Sequence, residues 1–254
     1  MSPTLSVVIP VLREARNLQA LLPGLRARCP GAEVIVVDAG SDDGTPDVVA
    51  RFPEARFVVG PRGRARQMNA GARLATAHTL LFLHADTRLP EGAAEAIRAA
   101  LADAAVVGGR FDVQFDNRSL AFRMIAGLMN ARSRLSGIST GDQAIFVRRL
   151  TFEAIGGYPD IPLMEDVELT RRLKRRGRLA CLRLRVTTAA RKWEREGVTR
   201  TIVLMWALRL LHFLGVGPAR LHRLYYGVPP APGPAGPEAD RRERTAAPAR
   251  SVDG

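Results

Sequence analysis

Cysteine is nearly absent: the 254 residues contain only Cys29 and Cys181. Neither belongs to a C-x-x-C pair, which argues against a thiolate zinc site or a thioredoxin-type redox pair. Reduced thiols are the default expectation. Long apolar runs are missing as well. No stretch reaches the ~20 residues that a membrane-spanning helix needs. The nearest, residues 201–216, is interrupted by Arg209 and His212. The first apolar run, residues 5–11, is short and lacks a basic leader, so no signal peptide is expected. A cytoplasmic setting follows as the expectation. The dinucleotide fingerprint G-x-G-x-x-G is absent: "PVLREARN" follows the first apolar run without a glycine, and no P-loop occurs. Aromatic residues make up only 6% and do not interleave with the basic ones. A nucleic-acid-binding module, invited by a pI near 11.2, therefore stands as an alternative without a motif behind it.

Charge is plentiful but unevenly placed. Residues 1–117 carry 13 basic and 13 acidic groups, and residues 228–254 carry four of each. The formal excess of +13 lies entirely in residues 118–227, with 21 basic against 8 acidic groups. Lysine occurs only at Lys174 and Lys192. A local field of this sign attracts anionic lipid or an acidic substrate. Two segments of the same region, 120–135 and 198–214, combine apolar residues with arginine at helical spacing. Each reads alone as a packed helix with a wet basic face. Together they point to peripheral contact with the inner face of a membrane, since such helices lie in the headgroup region without spanning it. The tail after Gly227 is rich in Pro, Ala, Gly and Arg, and is expected to be disordered.

The first half alternates strand and helix signals. "LSVVIPVL", "EVIVVDAG", "ARFVVG", "TLLFLHAD" and "AVVGGRFDVQF" are short apolar runs, as strands buried on both faces would be. Between them, "EARNLQALLPGLRARC", "TPDVVARF", "GRARQMNAGARLAT" and "PEGAAEAIRAALAD" have helical spacing. This order predicts an α/β fold with a mostly parallel central sheet and flanking helices. Ligands of such sheets bind beyond the carboxyl ends of the strands. That directs attention to Pro10 to Glu14, Asp38 to Thr45, and His84 to Asp86.

Each of these places carries two readings. Asp38, at a strand end, suits hydrogen bonds to a base or ribose, or an Asx-turn closing its own loop. His84 and Asp86 alternate onto one side of a strand. Asp86 suits Mg²⁺ or Mn²⁺, which take oxygen ligands and keep positions for a diphosphate; equally it suits a turn cap. Glu165 and Asp166 open a helix, where the macrodipole favours carboxylates whatever their function. Functionally they read as a general base with a neighbouring acid that separates the two pKa values.

The segments "SVVIPVLREARNL", "VIVVDAGSDDGT", "GRARQMNAGA", "LFLHADT" and "EDVELTRRL" occur in the order seen in family-2 glycosyltransferases, and the resemblance covers roughly residues 4–180. Within that family, "FLHADT", "GDQAIFVRR" and "RKWEREGVTRTIVLMW" resemble a small bacterial subgroup called arsenosugar-biosynthesis-associated or 4,4'-diaponeurosporenoate glycosyltransferases. The resemblance implies the GT-A fold, a nucleotide-diphosphate sugar donor, built from uridine and a hexose as a family trait, and inversion at the anomeric carbon. It implies that Pro10, Val11 and Glu14 line the base pocket and that Asp38 binds base or ribose. Arg66 and Asn69 would shape the floor under the diphosphate sugar. Asp86 matches the last Asp of the family's D-x-D and would hold the metal, and Asp166, with Glu165, matches the acid pair that supplies the base. The sequence departs from the pattern at His84, which stands where D-x-D begins, and would bind a nucleotide oxygen or the metal. Asp142 and Gln143 would bind sugar hydroxyls from an acceptor-side loop. Residues 1–117 would then form the donor half of one domain and residues 118–227 its acceptor half, with an unidentified acceptor that is lipophilic or a carboxylate, such as a carotenoid acid. A catalytically weak fold of this kind acting as a membrane scaffold is the rival, and His84 is its support.

Overall fold

A computed structural model of the chain describes residues 3–229. Most of the tail expected to be disordered lies outside those residues. Eight strands form one sheet: β1 (Leu5–Val11), β2 (Glu33–Asp38), β3 (Ala55–Val59), β4 (Thr79–Phe82), β5 (Thr87–Arg88), β6 (Val106–Phe115), β7 (Ile145–Arg148) and β8 (Arg178–Thr188). Their spatial order is β3-β2-β1-β4-β7-β6-β8-β5. Strands β3, β2, β1 and β4 are parallel. Strand β7 runs against both β4 and β6, β8 runs with β6, and β5 runs against β8. The sheet is thus mostly parallel, as the alternating sequence pattern predicts.

The central strands are apolar because helices cover both faces. In β1, Val7, Ile9 and Val11 enter one core and Val8 the other, as a period of two requires. Each such buried aliphatic side chain contributes ~1.5–3 kcal/mol. The first core is closed by α1 (Ala15–Arg28) through Leu18, Leu21, Leu22 and Leu25, with α2 (Thr45–Ala50) and α4 (Ala93–Leu101). The second is closed by α3 (Arg64–Leu74), α6 (Arg149–Ala154) and α7 (Glu165–Lys174), through Met68, Ala72, Phe152, Leu169 and Leu173. Gly71 lets α3 lie close on the sheet: a Cβ there would sit 2.4 Å from Val8 Cγ1.

Helices α5 (Leu120–Ser136), α8 (Arg191–Glu196), α9 (Val198–Phe213) and α10 (Pro218–Tyr226) gather at one side. Phe122, Ile125 and Ala126 of α5 share a cluster with Val198 and Ile202 of α9. The opposite face of α9, through Leu204 and Leu208, joins Leu221 of α10 and Met164 and Val167 around the start of α7. No helix among the described residues is long and apolar enough to cross a membrane.

Candidate active site

The sheet order reverses beside β1, whose neighbours are β2 and β4, and such a switch point opens a crevice outside the carboxyl ends of the strands. Glu14 follows β1 at this crevice, and residues 84–86 follow β4. Because β7 runs against β4, its amino end lies at the same edge: Phe82 pairs with Ile145. The short turn Gly141–Gln143 that feeds β7 is therefore brought opposite His84.

His84 Nδ1 lies 3.3 Å from Asp142 Oδ1. Its ring packs directly on Gly141, where a Cβ would fall 2.4 Å from Cε1 and 2.5 Å from Nε2. His84 Nε2 is buried without a hydrogen-bond partner. The same turn reaches the acid pair of α7: the Gly141 N–H donates to Asp166 Oδ2 at 2.8 Å. Asp166 Oδ1 accepts the Val167 N–H at 2.7 Å.

Glu165 has a different environment. It is buried, and its carboxylate lies 3.3 Å from Arg64 Nη1. Burial pushes this carboxyl above its ordinary value. Arg64 opposes that shift, Asp166 adds to it, and the Glu165 N–H and His84 oppose it. Met164, with φ 68, turns the chain so that both acids head the helix.

Glu14 and Asp86 form the other acidic locus. Burial pushes the Glu14 carboxyl up, and the charges of Asp86 and Asp43 add to this, while Asn17 and Arg191 pull it down. Asp86 is tied through its own carbonyl, which accepts the Ala189 N–H at 3.2 Å. Among the described residues, no three His, Cys, Asp or Glu side chains assemble a ready metal cage. One or two carboxylates facing an open crevice still fit Mg²⁺ or Mn²⁺, which draw remaining ligands from diphosphate oxygens and water.

The remaining residues singled out from the sequence each have partners within the fold. Asp38 is buried; its carboxylate accepts the N–H groups of Gly40 and Ser41 at 3.2 and 2.9 Å, and the Ser41 hydroxyl. That is the Asx-turn arrangement. Val11 is buried in the core and Pro10 is half-buried. Asn69 bonds both ways to the Tyr158 backbone, at 2.8 and 2.9 Å, and Arg66 pairs with Asp160 at 2.6 Å. Gln143 is wholly buried, its side-chain carbonyl accepting the Thr140 N–H at 3.2 Å.

Sequence reasoning passed over Arg64 and Gln67, both inside "GRARQMNAGA". Arg64 reaches the acid pair. Gln67 is buried and donates from Nε2 to the carbonyls of Val11 at 2.7 Å and Val37 at 2.9 Å, holding the ends of β1 and β2 together. A polar residue on the apolar face of a helix, between Met68 and Arg64, was the available signal.

A sheet of this order, with acids beyond the ends of β1 and β4 and at the head of α7, defines the GT-A class. Solved structures agree. A mannosyltransferase from Pyrobaculum calidifontis, in complex with GDP-Man and Mn²⁺, has a TM-score of 0.57 and 26% identity, covering 75% of this chain and 58% of its own. S. aureus TarS in complex with UDP-GlcNAc has a TM-score of 0.55 at 18% identity, covering 74% and 58%, which bears on the fold alone. Residues 6–154 match the family described as Glycosyl transferase family 2, and the chain belongs to that family. A PGL/p-HBAD biosynthesis glycosyltransferase of Mycobacterium tuberculosis (strain H37Rv) is 34% identical over 164 residues, covering 62% of this chain. The chain spans 64% of that relative's length.

Proposed function

We propose that this chain is an inverting hexosyltransferase that uses a nucleotide-diphosphate sugar and Mg²⁺ or Mn²⁺. The observation that supports the reading is the grouping of His84, Asp142, Glu165 and Asp166 around the turn that feeds β7, with Glu14 and Asp86 in the segments that follow β1 and β4. Family membership, and a 26%-identical solved structure that holds GDP-Man and Mn²⁺, support the donor class. Uridine as the base and a hexose as the sugar are the donor we favour.

In this reading residues 1–117 form the donor half and residues 118–227 the acceptor half. Asp86, with Glu14 beside it, would hold the metal, whose chemistry is to offset charge on the departing diphosphate. Asp166 removes the proton from an acceptor hydroxyl attacking opposite the diphosphate. Its two oxygens are aimed by the Gly141 and Val167 N–H groups, and each keeps a further lone pair. Glu165, neutralised by Arg64, positions the head of α7. For a carboxylate acceptor, already ionised at neutral pH, Asp166 orients the nucleophile. His84, oriented by Asp142, faces the nucleotide oxygens. Pro10, Val11, Asp38, Arg66 and Asn69 act through the backbone and loops they fix, and Gln143 holds the acceptor-side turn.

The acceptor we favour is lipophilic, of the kind a carotenoid acid represents, delivered at a membrane surface. Exposed apolar stripes on α5, α9 and α10 support this, together with the arginine excess of the same segment. The reading is tested by donor hydrolysis across a panel of nucleotide sugars with Mg²⁺, Mn²⁺ or EDTA. Metal-dependent release of nucleotide diphosphate from one donor is expected, reduced at least ~100-fold in Asp86→Ala, a loss of ~2.7 kcal/mol in transition-state stabilisation. No release and no nucleotide binding by calorimetry, with vesicle binding intact, would replace the enzyme with a scaffold.

A further inference from the structure

Two arginines and a histidine beside the acid pair have no part in the reading above. Arg132 lies near the end of α5; Arg209 and His212 lie one turn apart on α9. Nε and Nη2 of Arg132 are shut off from solvent and find no hydrogen-bond partner among the described residues, and the same holds for His212 Nε2. The two unmet Arg132 nitrogens belong to one edge of the guanidinium, the edge that grips a carboxylate or phosphate with two parallel bonds.

Packing brings these groups to the site. Leu208, next to Arg209, shares a cluster with Met164 and Val167, which flank the acid pair. The end of α5 is tied to α7 by Lys174 Nζ, 2.6 Å from the Ser136 carbonyl, and the turn beyond it by the bond from Gly141 to Asp166. The electrostatics agree with that placement. Burial, then the like charge of Arg209, push the Arg132 guanidinium down to about 10, with Asp166 opposing them. Burial pushes Arg209 down too, with Asp166 and Asp142 opposing.

Arg132 and Arg209 are each half-buried, and an Arg132 fork shut off from solvent without a partner is costly unless a ligand meets it. We propose that Arg132 and Arg209, with His212 as a third donor, form an oxyanion subsite on the acceptor side of Asp166, taking a carboxylate or a phosphate. It deepens the transferase reading and rests on it for the group that would bind: an anionic group on the acceptor, or the diphosphate of the donor.

The test uses the full chain in EDTA, with inorganic phosphate, inorganic pyrophosphate and acetate as probes, followed by calorimetry and thermal unfolding. Wild type is expected to bind at least one probe. Arg132→Met should bind it about tenfold or more weakly, while the free variant is as stable as wild type or more so, because a buried charge has gone. Arg209→Gln should weaken the same probe. UDP or GDP binding that falls in Arg132→Met, with uridine or guanosine binding unchanged, assigns the subsite to the donor diphosphate. Unchanged UDP or GDP binding, with the probe lost even at saturating nucleotide, assigns it to the acceptor. A wild-type chain that binds no probe overturns the proposal. So does an Arg132→Met chain that is destabilised yet binds normally, which makes Arg132 structural. Probe binding without any nucleotide binding or donor release keeps the subsite and removes the transferase; the reverse keeps the transferase and removes the subsite.

Discussion

Glu165 and Asp166 are adjacent in the chain but differ in their surroundings. Asp166 is only half-buried and held by two backbone N–H groups, whereas Glu165 is buried against Arg64. A carboxyl whose folded pKa is raised favours the folded state below its unfolded pKa, and that contribution is lost as pH rises through the folded value. Arg64 limits the loss by pulling the Glu165 value down. Arg64→Met should therefore be nearly neutral at pH 5 and destabilising by about 1–3 kcal/mol at pH 8. Urea denaturation at the two pH values checks this, and an equal loss at both would remove the ion pair as its cause. Gly141 allows a second prediction at the same scale. A methyl there would collide with the His84 ring and disturb the turn whose N–H reaches Asp166. Gly141→Ala is expected to cost about 1–3 kcal/mol in stability and at least ~10-fold in kcat. Unchanged turnover would show that the turn does not position Asp166 for the proposed proton transfer.

Gln67 of α3 shows how a side chain can organise a site without entering it. Gln67 joins the carbonyls at the ends of β1 and β2, and the loops that leave those ends carry Glu14 and Asp38. Those loops are then tied to each other: Arg13 pairs with Asp42, and the Ala15 N–H donates to Asp43 at 3.1 Å. Gln67→Leu should lower stability by about 2 kcal/mol and weaken nucleotide binding, measured by thermal unfolding and calorimetry. Retained nucleotide affinity with lowered stability would confine Gln67 to the fold. Strands β1, β2, β3, β4 and β6 and helices α1 to α5, α7 and α9 were legible, because their apolar spacing is local and dense. Strand β8 was not. Arg183 and Arg185 interrupt its apolar residues, its main partner β6 lies some 70 residues upstream, and the pairing slips register twice. Among the described residues only the two of β5 pair with its outer side, so most of β8 is an edge there, where arginines are tolerated and guard against further pairing. Helix α10 had readable ends, Pro218 at its start and Gly227 at its close, but lies between a longer helix and a Pro-rich tail. For Asp38 the sequence left two roles open because a carboxylate at a strand end serves either. The Ser41 contacts describe the turn-closing one.

The distribution of charge and apolar surface belongs to the whole molecule. On α5, Leu120, Met124 and Leu128 are exposed at intervals of four, and on α9 Val203, Trp206, Leu210 and Phe213 form a second stripe. The opposite faces of these helices are packed, and α9 touches both α5 and α10. Trp206 is 62% and Phe213 80% exposed, although residues of this size are ordinarily drawn inside. The arginine excess lies in the same segment, residues 118–227, as these stripes, and the combination suits an anionic bilayer surface. The protein is expected to float with vesicles containing phosphatidylserine, less with neutral phosphatidylcholine, and less again as salt rises. Trp206→Ser combined with Phe213→Ser removes two exposed groups, each able to contribute ~1.5–3 kcal/mol on burial in lipid. Vesicle affinity should fall about tenfold or more, while unfolding stability and hydrolysis of a soluble donor stay near wild type. Activity on an acceptor carried in vesicles should fall with the affinity. Equal flotation of variant and wild type, or equal binding to neutral and anionic vesicles, would detach these stripes from any membrane role. The apolar residues would then need a partner of another kind.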